Sequence, residues 1–179
     1  MKPSIFLTVP TADYDTEIMA LKQELGRAGD RDRFAGCSGL GGCETAAQWR
    51  EKLACYADTE SCPPDKVPSD CFLAVRESDR RIVGVIDLRR HIDHPVLGLW
   101  GGHIGYSVRP SERGNGYAKM MLRELLAICR TRGMERVMVT CREDNPASEK
   151  TILACGGKYE YSVKVPDTDT VIRRYWITL

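Results

Sequence analysis

A glycine-rich turn with basic neighbours lies near the middle of the chain and has the residue types of an anion site. Gly114 and Gly116 follow a segment that alternates like a strand and precede one with helical spacing. Arg113 and Lys119 add positive charge beside the turn, and Arg109 lies just before it. The first turn of a helix has backbone N–H groups without internal partners, and its dipole favours negative charge. Glycine lets the backbone adopt positive φ and approach a ligand closely. The pattern predicts a phosphate-binding turn, with a solvated loop before a surface helix as the alternative.

Two common phosphate motifs do not fit this turn. The sequence contains no G-x-x-x-x-G-K-[ST] string, so it has no P-loop. The dinucleotide fingerprint needs a third glycine, but Lys119 stands in that position. A nucleotide-binding protein of either kind is therefore excluded.

A third pattern fits both the turn and its flanks. Residues 113–118, RGNGYA, resemble the [RQ]-x-x-G-x-[GA] signature of the GNAT superfamily of N-acetyltransferases, which cradles the pyrophosphate of acetyl-CoA. Residues 106–110, YSVRP, resemble the fourth strand of that family, and residues 140–157 resemble its fifth strand and the following helix. The resemblance is specific over roughly residues 72–159. Residues 101–118 and 139–148 are similar to those of a bacterial subgroup of predicted acetyltransferases whose acceptors are mostly unknown.

The resemblance implies that acetyl-CoA is a co-substrate lying between splayed fourth and fifth strands. A bulge near Gly105 would explain the splay and would free an N–H for the thioester oxygen. A plain central strand is the alternative for this segment, and Asn145 has the alternative role of a helix cap only. The residues that the resemblance assigns to acetyl-CoA are Tyr106, Ser107, Val108, Arg113, Gly114, Asn115, Gly116, Tyr117, Ala118, Asn145 and Ser148.

Acetyl transfer to an amine also requires a base and an acid. An alkylamine with a pKa of about 10.4 is protonated at neutral pH and cannot attack until a base removes a proton. His103, at the start of the fourth strand, is the first candidate, followed by Glu143 and Asp144 after the fifth strand. A structural histidine and ordinary loop carboxylates are the alternatives. Many members of the family supply the acid from a tyrosine whose position here is Ile152, so the acid is left open.

The acceptor is expected to contact the glycine-rich loop between residues 26 and 42. Asp30, Asp32 and Glu44, in or beside this loop, carry carboxylates that suit a cationic amine. The acceptor class is therefore a small-molecule or peptide amine. For the acid, Tyr159 and Tyr161 lie near Ile152 in the sequence, but the strand that carries them can face away from the site.

The order of predicted elements gives an α+β layered domain around one mixed, mostly antiparallel sheet. Apolar alternation and helical spacing indicate a strand, two helices, three strands, a helix, a strand, a helix and two strands. This order also matches the GNAT fold with its splayed fourth and fifth strands. We expect residues 1–179 to form one such domain.

Composition bounds the partners and the location. The chain has 179 residues and a net charge of +1, which does not favour nucleic acid or an anionic membrane as a partner. The start becomes polar too soon for a signal peptide, so a cytoplasmic location is expected. The eight cysteines contain no C-x-x-C pair, so we expect reduced thiols and no metal, with a zinc site among Cys37, Cys43, Cys55 and Cys62 as the alternative. The oligomeric state is open, with a homodimer as one expectation.

Two functions remain after these arguments. The first is an acetyl-CoA-dependent N-acetyltransferase that acts on a primary amine. The second keeps the fold and the coenzyme A site but uses them as a sensor or interaction module with little catalysis. Ile152, in place of the usual tyrosine, favours the second. Because the acid and base vary in position across the family, the first function is the main prediction.

Overall fold

Seven strands form one mixed sheet whose centre lies beside the predicted phosphate turn. The computed structural model describes residues 4–179, so the first three residues of the N-terminal segment lie outside it. The sheet order is β1-β2-β3-β4-β5-β7-β6, and every neighbouring pair is antiparallel except β4 with β5. The strands are β1 Ile5–Thr8, β2 Ser69–Arg76, β3 Ile82–Arg89, β4 Ile104–Val108, β5 Arg136–Arg142, β6 Lys158–Lys164 and β7 Val171–Thr178.

Four α-helices cover the two faces of the sheet. They are α1 Asp15–Arg27, α2 Ala46–Ala57, α3 Tyr117–Thr131 and α4 Pro146–Ala154. The order of strands and helices is the predicted one, and the α+β fold with a mostly antiparallel sheet is confirmed. None of the helices in residues 4–179 is both long enough and apolar enough to cross a lipid bilayer.

The alternation of strand side chains divides the core into two layers. On β2, Phe72 and Ala74 face the core beneath α3 and α4, whereas Leu73 and Val75 face the core beneath α1 and α2. Successive side chains of a strand point to opposite faces, so an apolar run such as CFLAV can fill both layers. Each fully buried Leu or Val contributes about 1.5–3 kcal/mol of transfer free energy.

The helices around the candidate site begin and pack as their sequences dictate. The predicted apolar face of α3 is buried throughout, at Met121, Leu122, Leu125, Leu126 and Cys129. Asn145 caps α4 by accepting the backbone N–H of Ser148 at 3.1 Å, with Pro146 in the first helical position. An N-cap of this kind stabilises a helix by about 1 kcal/mol. Both features were predicted from the sequence and are confirmed.

Strands β4 and β5 separate because each follows its own antiparallel partner. Between them, Ile104 and Val139 form the paired position, while β4 pairs with β3 over its whole length and β5 pairs with β7. The predicted splay is confirmed. The predicted bulge near Gly105 is wrong, because the β3–β4 register runs without a shift from Leu88 and Ile104 to Gly84 and Val108.

Candidate functional site

A large cleft follows the gap between β4 and β5 from one face of the sheet to the other. Its volume is about 1220 Å³. That exceeds the roughly 300–1,000 Å³ of an ordinary small-molecule pocket, so the cleft has room for a large co-substrate together with an acceptor. Its walls come from the loop after α1, β4, the glycine-rich turn, the end of β5 and the start of α4.

The glycine-rich turn presents main-chain donors at one end of this cleft. Gly114 and Gly116 have φ values of +83° and +81°, which a residue with a side chain rarely adopts. Gly116 is the N-cap of α3, and no side chain caps the helix there. The space beside both glycines is open. The first-turn N–H groups of α3 are therefore available to an anion.

A buried carboxylate holds the turn in place from behind. Glu112 lies 2.7 Å from Nη1 of Arg76 and 2.8 Å from Nε of Arg81. Arg76 also donates to the hydroxyl of buried Tyr117 at 3.1 Å, and the amide of Asn115 donates to the Glu112 carbonyl at 3.1 Å. These contacts fix both sides of the turn, so its donors are positioned before any ligand arrives.

Arg109, just before the turn, is engaged by carboxylates of α1. Its side chain is only 3% exposed and lies 2.8 Å from Glu17 and 2.6 Å from Glu24, both on α1. Glu24 also accepts the hydroxyl of Ser111 at 2.7 Å. Arg109 therefore joins α1 to the start of the turn and is not free to bind a ligand.

Two basic side chains do reach the cleft beside the turn. Arg113 and Lys119 both line it. Nη2 of Arg113 lies 2.6 Å from Asp30, which belongs to the loop after α1. Both members of this ion pair are about half exposed, so the pair is weak and open to competition by another anion.

The register of β4 decides which main-chain groups face the gap. Arg109 N–H donates to Val83 and Arg89 N–H donates to His103, which fixes the alternation along β3 and β4. Tyr106 and Val108 therefore direct their N–H and C=O groups away from β3 and into the gap. Ser107 also lines the cleft, but its backbone faces β3 and its hydroxyl donates to Ala35 at 2.7 Å, which counts against the predicted main-chain pairing with the co-substrate.

His103 has the contacts of a structural histidine, which count against its prediction as the base. Its ring is buried, and Nδ1 accepts the backbone N–H of Met138 at 2.9 Å. Burial, together with the positive charge of Arg89, lowers the pKa of His103 to about 4. The side chain does not line the cleft, and its ring packs edge-on against Trp176. The lone pair that a base needs is already engaged.

The two carboxylates predicted after β5 have different surroundings. Glu143 lies 3.0 Å from Arg173 on β7 and does not line the cleft, which counts against its predicted role as a base. Asp144 does line the cleft, but it forms a two-pronged ion pair with Arg142 at 2.8 and 2.6 Å. Its hydrogen bond with Arg142 lowers the pKa of Asp144, which makes this carboxylate a weak base.

Asp32 is the carboxylate best placed for an amine. It lines the cleft from the loop after α1, with Nε of Arg142 at 3.5 Å. Burial raises the pKa of Asp32 despite the nearby charge of Arg142. Asp30 lines the cleft as well, whereas Glu44 is exposed outside it, so the predicted acidic loop is only partly right.

Two hydroxyl groups lie close together in the cleft and are candidates for the acid that the sequence did not identify. The Tyr106 hydroxyl lies 2.8 Å from Oγ of Ser148, so β4 and α4 meet here. Burial raises the pKa of Tyr106 to about 12, so the phenol keeps its proton at neutral pH. Ile152 is fully buried in the core, and neither Tyr159 nor Tyr161 lines the cleft.

The loop after α1 is pressed directly onto β4. A side-chain Cβ on Gly36 would lie 2.2 Å from the Gly105 carbonyl oxygen, so only glycine fits there. Buried Asp87 accepts the Gly105 N–H at 2.9 Å and the Ser38 hydroxyl at 3.3 Å. The Gly105 N–H expected to hold a thioester oxygen is thus already used by Asp87.

Sequence reasoning missed several residues that line the acceptor side of the cleft. Arg89, Trp100, Thr140 and Arg142 all do so. One signal was present, because Arg89 and Asp87 alternate with apolar residues in a strand that is otherwise hydrophobic. No sequence pattern indicated Trp100, which lies in a π-helical turn spanning Leu97–Gly101.

Within residues 4–179, no three His, Cys, Asp or Glu side chains are grouped closely enough to hold a metal ion. The uncapped helix, the left-handed glycines with open space beside them and the unpaired edge of β4 fit the diphosphate and the amide-bearing arm of acetyl-CoA.

Comparison with known proteins identifies the class to which this fold and cleft belong. The family model for acetyltransferases of the GNAT family matches residues 43–156. The chain belongs to this family and is an acyltransferase. No curated protein matches the chain.

Several solved structures share the fold over nearly the whole chain. A ribosomal L7/L12 α-N-protein acetyltransferase, RimL, in complex with coenzyme A has a TM-score of 0.69 and 16% identity, covering 98% of this chain and 94% of that one. The microcin C7 self-immunity acetyltransferase MccE, in complex with acetyl-CoA and AMP, has 0.68 and 18%, covering 98% and 92%. A spermidine N-acetyltransferase chimera from Vibrio cholerae and hSSAT has 0.64 and 13%, covering 97% and 95%. At these identities the likeness shows the fold alone.

Proposed function

We propose that the chain forms one domain that transfers the acetyl group of acetyl-CoA directly to a primary amine of a small molecule or peptide. One observation carries this proposal. The unpaired edge of β4 leads straight to the uncapped N-terminus of α3, within one cleft that also reaches the carboxylate of Asp32. A donor and an acceptor can therefore meet in the gap without a covalent intermediate on the protein.

The co-substrate is proposed to lie along the gap with its diphosphate at the turn. Main-chain N–H groups from Gly114 to Lys119 would bind the phosphate oxygens, with Arg113 and Lys119 adding charge. Tyr106 and Val108 would pair with the amides of the pantetheine arm in the place of a neighbouring strand. Bound in this way, acetyl-CoA supplies an activated acyl group.

Asp32 is proposed to take the proton from the acceptor ammonium, directly or through a water molecule. The raised pKa of Asp32 brings its basicity closer to that of the amine than an ordinary carboxylate allows. Asp144 is held by Arg142 and serves to position it. The role of base that was predicted for His103 is thus proposed for a carboxylate in the loop after α1, which was expected to contact the acceptor.

The hydroxyls of Tyr106 and Ser148 are proposed to stabilise the departing sulfur. A thiol with a pKa near 8.5 is a stronger acid than a phenol whose pKa is about 12, so full proton transfer from Tyr106 to the departing thiolate is uphill. A hydrogen bond to the sulfur avoids that cost. This pair takes over the task that the tyrosine at the Ile152 position performs in other members of the family.

The second candidate is a coenzyme A sensor with little catalysis, and the buried Ile152 favours it. A thiol-release assay with acetyl-CoA separates the two, using polyamines, amino acids, aminoglycosides and peptides as acceptors. Turnover that falls roughly 10-fold or more in Tyr106→Phe, with unchanged coenzyme A affinity, supports the enzyme. Tight coenzyme A binding without turnover of any acceptor would support the sensor. Tyr161→Phe, outside the cleft, is the matched control.

A further inference from the structure

The wall of the cleft contains an arginine, Arg89, that pairs with buried Asp87 and still has unused hydrogen-bond donors. Arg89 ends β3 and lines the cleft with a side chain that is 21% exposed. Ile86 and Leu88 face the core beneath α3. Arg89, like Asp87, therefore points to the opposite face, where the loop after α1 covers the sheet.

The guanidinium of Arg89 has donors to spare. Nη1 donates to the Gly101 and Gly102 carbonyls at 3.4 Å each, which are long hydrogen bonds. Nη2 lies 3.3 Å from Asp87, whose oxygens also accept from Gly105 and Ser38. Within residues 4–179, Nε and Nη2 donate no hydrogen bond of good geometry, and neither atom is sealed from solvent.

Three carboxylates that line the cleft also have arginine partners. Asp30 faces Arg113 at 2.6 Å, Asp144 faces Arg142 at 2.6 Å, and Asp32 faces Arg142 at 3.5 Å. A polyamine carries further ammonium groups that would need unmatched carboxylates. Among the described residues of the cleft, Asp32 is proposed to act on the reacting amine, which leaves Asp30 alone for a second ammonium group once Arg113 binds the diphosphate.

We propose that Arg89 determines specificity by binding an anionic group, a carboxylate or a phosphoryl group, on the acceptor. This inference rests on the proposed acetyl transfer and names its acceptor class, which is an amine with an anion held at a distance from it. Arg89 lies opposite His103 on the neighbouring strand, three residues before Tyr106. At about 3.3 Å per residue, the anion would lie roughly 10 Å from the reacting centre.

That separation suits an acidic side chain near the N-terminus of a peptide better than the α-carboxylate of a free amino acid. In a free amino acid, the amine and the carboxylate are attached to the same carbon. In a peptide, an acidic residue in the second position places its anion several bonds from the terminal amine. The acceptor class is therefore a peptide, or a peptide-like amine, with an acidic group next to its N-terminal residue.

The test compares amidated tripeptides that differ at the middle residue: Ala-Asp-Ala, Ala-Asn-Ala, Ala-Lys-Ala and a phosphoserine version, with spermidine alongside. For the wild-type chain, kcat/KM for the aspartate or phosphoserine peptide should exceed that for the asparagine peptide by about 10- to 100-fold. The aspartate and phosphoserine arms distinguish the two anions. Arg89→Gln should remove this preference, so that the aspartate and asparagine peptides react with equal kcat/KM.

Two further variants protect the interpretation. Arg89→Lys keeps the partner of Asp87 and should retain part of the preference, and Arg130→Gln removes an exposed arginine outside the cleft and should change nothing. A wild-type chain that does not prefer the acidic peptides, or that prefers spermidine, would overturn the inference. A preference that survives Arg89→Gln would overturn it too.

A binding measurement separates this inference from the proposed function. Calorimetry with the coenzyme A complex and the N-acetylated tripeptides reports anion recognition without turnover. Tighter binding of the aspartate product that depends on Arg89, without turnover of any acceptor, would support the anion site and refute acetyl transfer. Turnover of all the peptides without a difference between aspartate and asparagine would do the reverse.

Discussion

His103 and Met138 bind each other through two hydrogen bonds at the closed end of the gap between β4 and β5. The backbone N–H of Met138 donates to Nδ1 of His103 at 2.9 Å, and the backbone N–H of His103 donates to the Met138 carbonyl at 2.8 Å. Beyond this point the strands pair at Ile104 and Val139 and then part. The imidazole thus ties the two strands together where the cleft begins.

The first prediction concerns that tie. His103→Phe leaves the buried Met138 N–H without an acceptor, so we expect the free energy of unfolding to fall by about 1–3 kcal/mol. His103→Asn offers a carbonyl oxygen close to the position of Nδ1, so it should lose less stability. Denaturant unfolding of the two variants measures the difference.

The same variants address the role of His103 in catalysis. The acidic limb of the kcat/KM profile should have the same midpoint in His103→Asn and in the wild-type chain. A histidine whose pKa is about 4 is already neutral throughout the working range. Loss of that limb in His103→Asn would show that this residue is the base after all.

The second prediction concerns the contact between the loop after α1 and β4. Gly36→Ala places a Cβ 2.2 Å from a carbonyl oxygen at a residue whose φ is +70°, so we expect a loss of more than about 2 kcal/mol of stability and a large loss of activity. Gly29→Ala is the control, because nothing lies within 4 Å of its Cβ. Thermal unfolding and the thiol-release assay report both effects. Equal behaviour of the two variants would mean that the loop does not rest on β4.

The third prediction concerns Asp32. Asp32→Asn keeps the shape of the side chain but removes the base, so kcat/KM should fall by about 100-fold or more while coenzyme A affinity stays the same. Glu44→Gln removes an exposed carboxylate outside the cleft and should have no effect. Steady-state kinetics and calorimetry make the comparison. A fully active Asp32→Asn chain would exclude this carboxylate as the base.

The fourth prediction concerns the ion pair between Asp30 and Arg113. Asp30→Asn frees Arg113 for the diphosphate, so coenzyme A should bind about two- to fivefold more tightly, as expected for an exposed ion pair. The gain should shrink at high salt, because exposed charges are screened. Asp13→Asn removes an exposed carboxylate that precedes the N-terminus of α1, and it is the control in calorimetric titrations. Weaker binding in Asp30→Asn would show that Asp30 orients Arg113 and does not compete for it.

The elements could be predicted from the sequence because their signals are local. The spacing of Met121, Leu125 and Cys129 marks the buried face of α3, and the pair Asn145–Pro146 marks the start of α4. The glycine-rich turn follows from the same local chemistry. For these features, neighbouring residues in the sequence are also neighbours in the fold.

The chemistry of the site depended on distant contacts that no local pattern carries. The hydrogen bond from Met138 gives His103 a structural contact that the sequence does not indicate. In the same way, Glu17 and Glu24 engage Arg109. Partners of this kind come from other elements and are set by the strand register. Local sequence patterns therefore locate the cleft, but they do not distinguish its structural side chains from its reactive ones.

The most direct test of the central claim is a crystal structure of the chain with coenzyme A. We expect the diphosphate within hydrogen-bond distance of the main-chain N–H groups between Gly114 and Lys119, and the pantetheine arm between β4 and β5 beside Tyr106. A diphosphate bound away from this turn, or a coenzyme A molecule outside the gap between the two strands, would contradict the account.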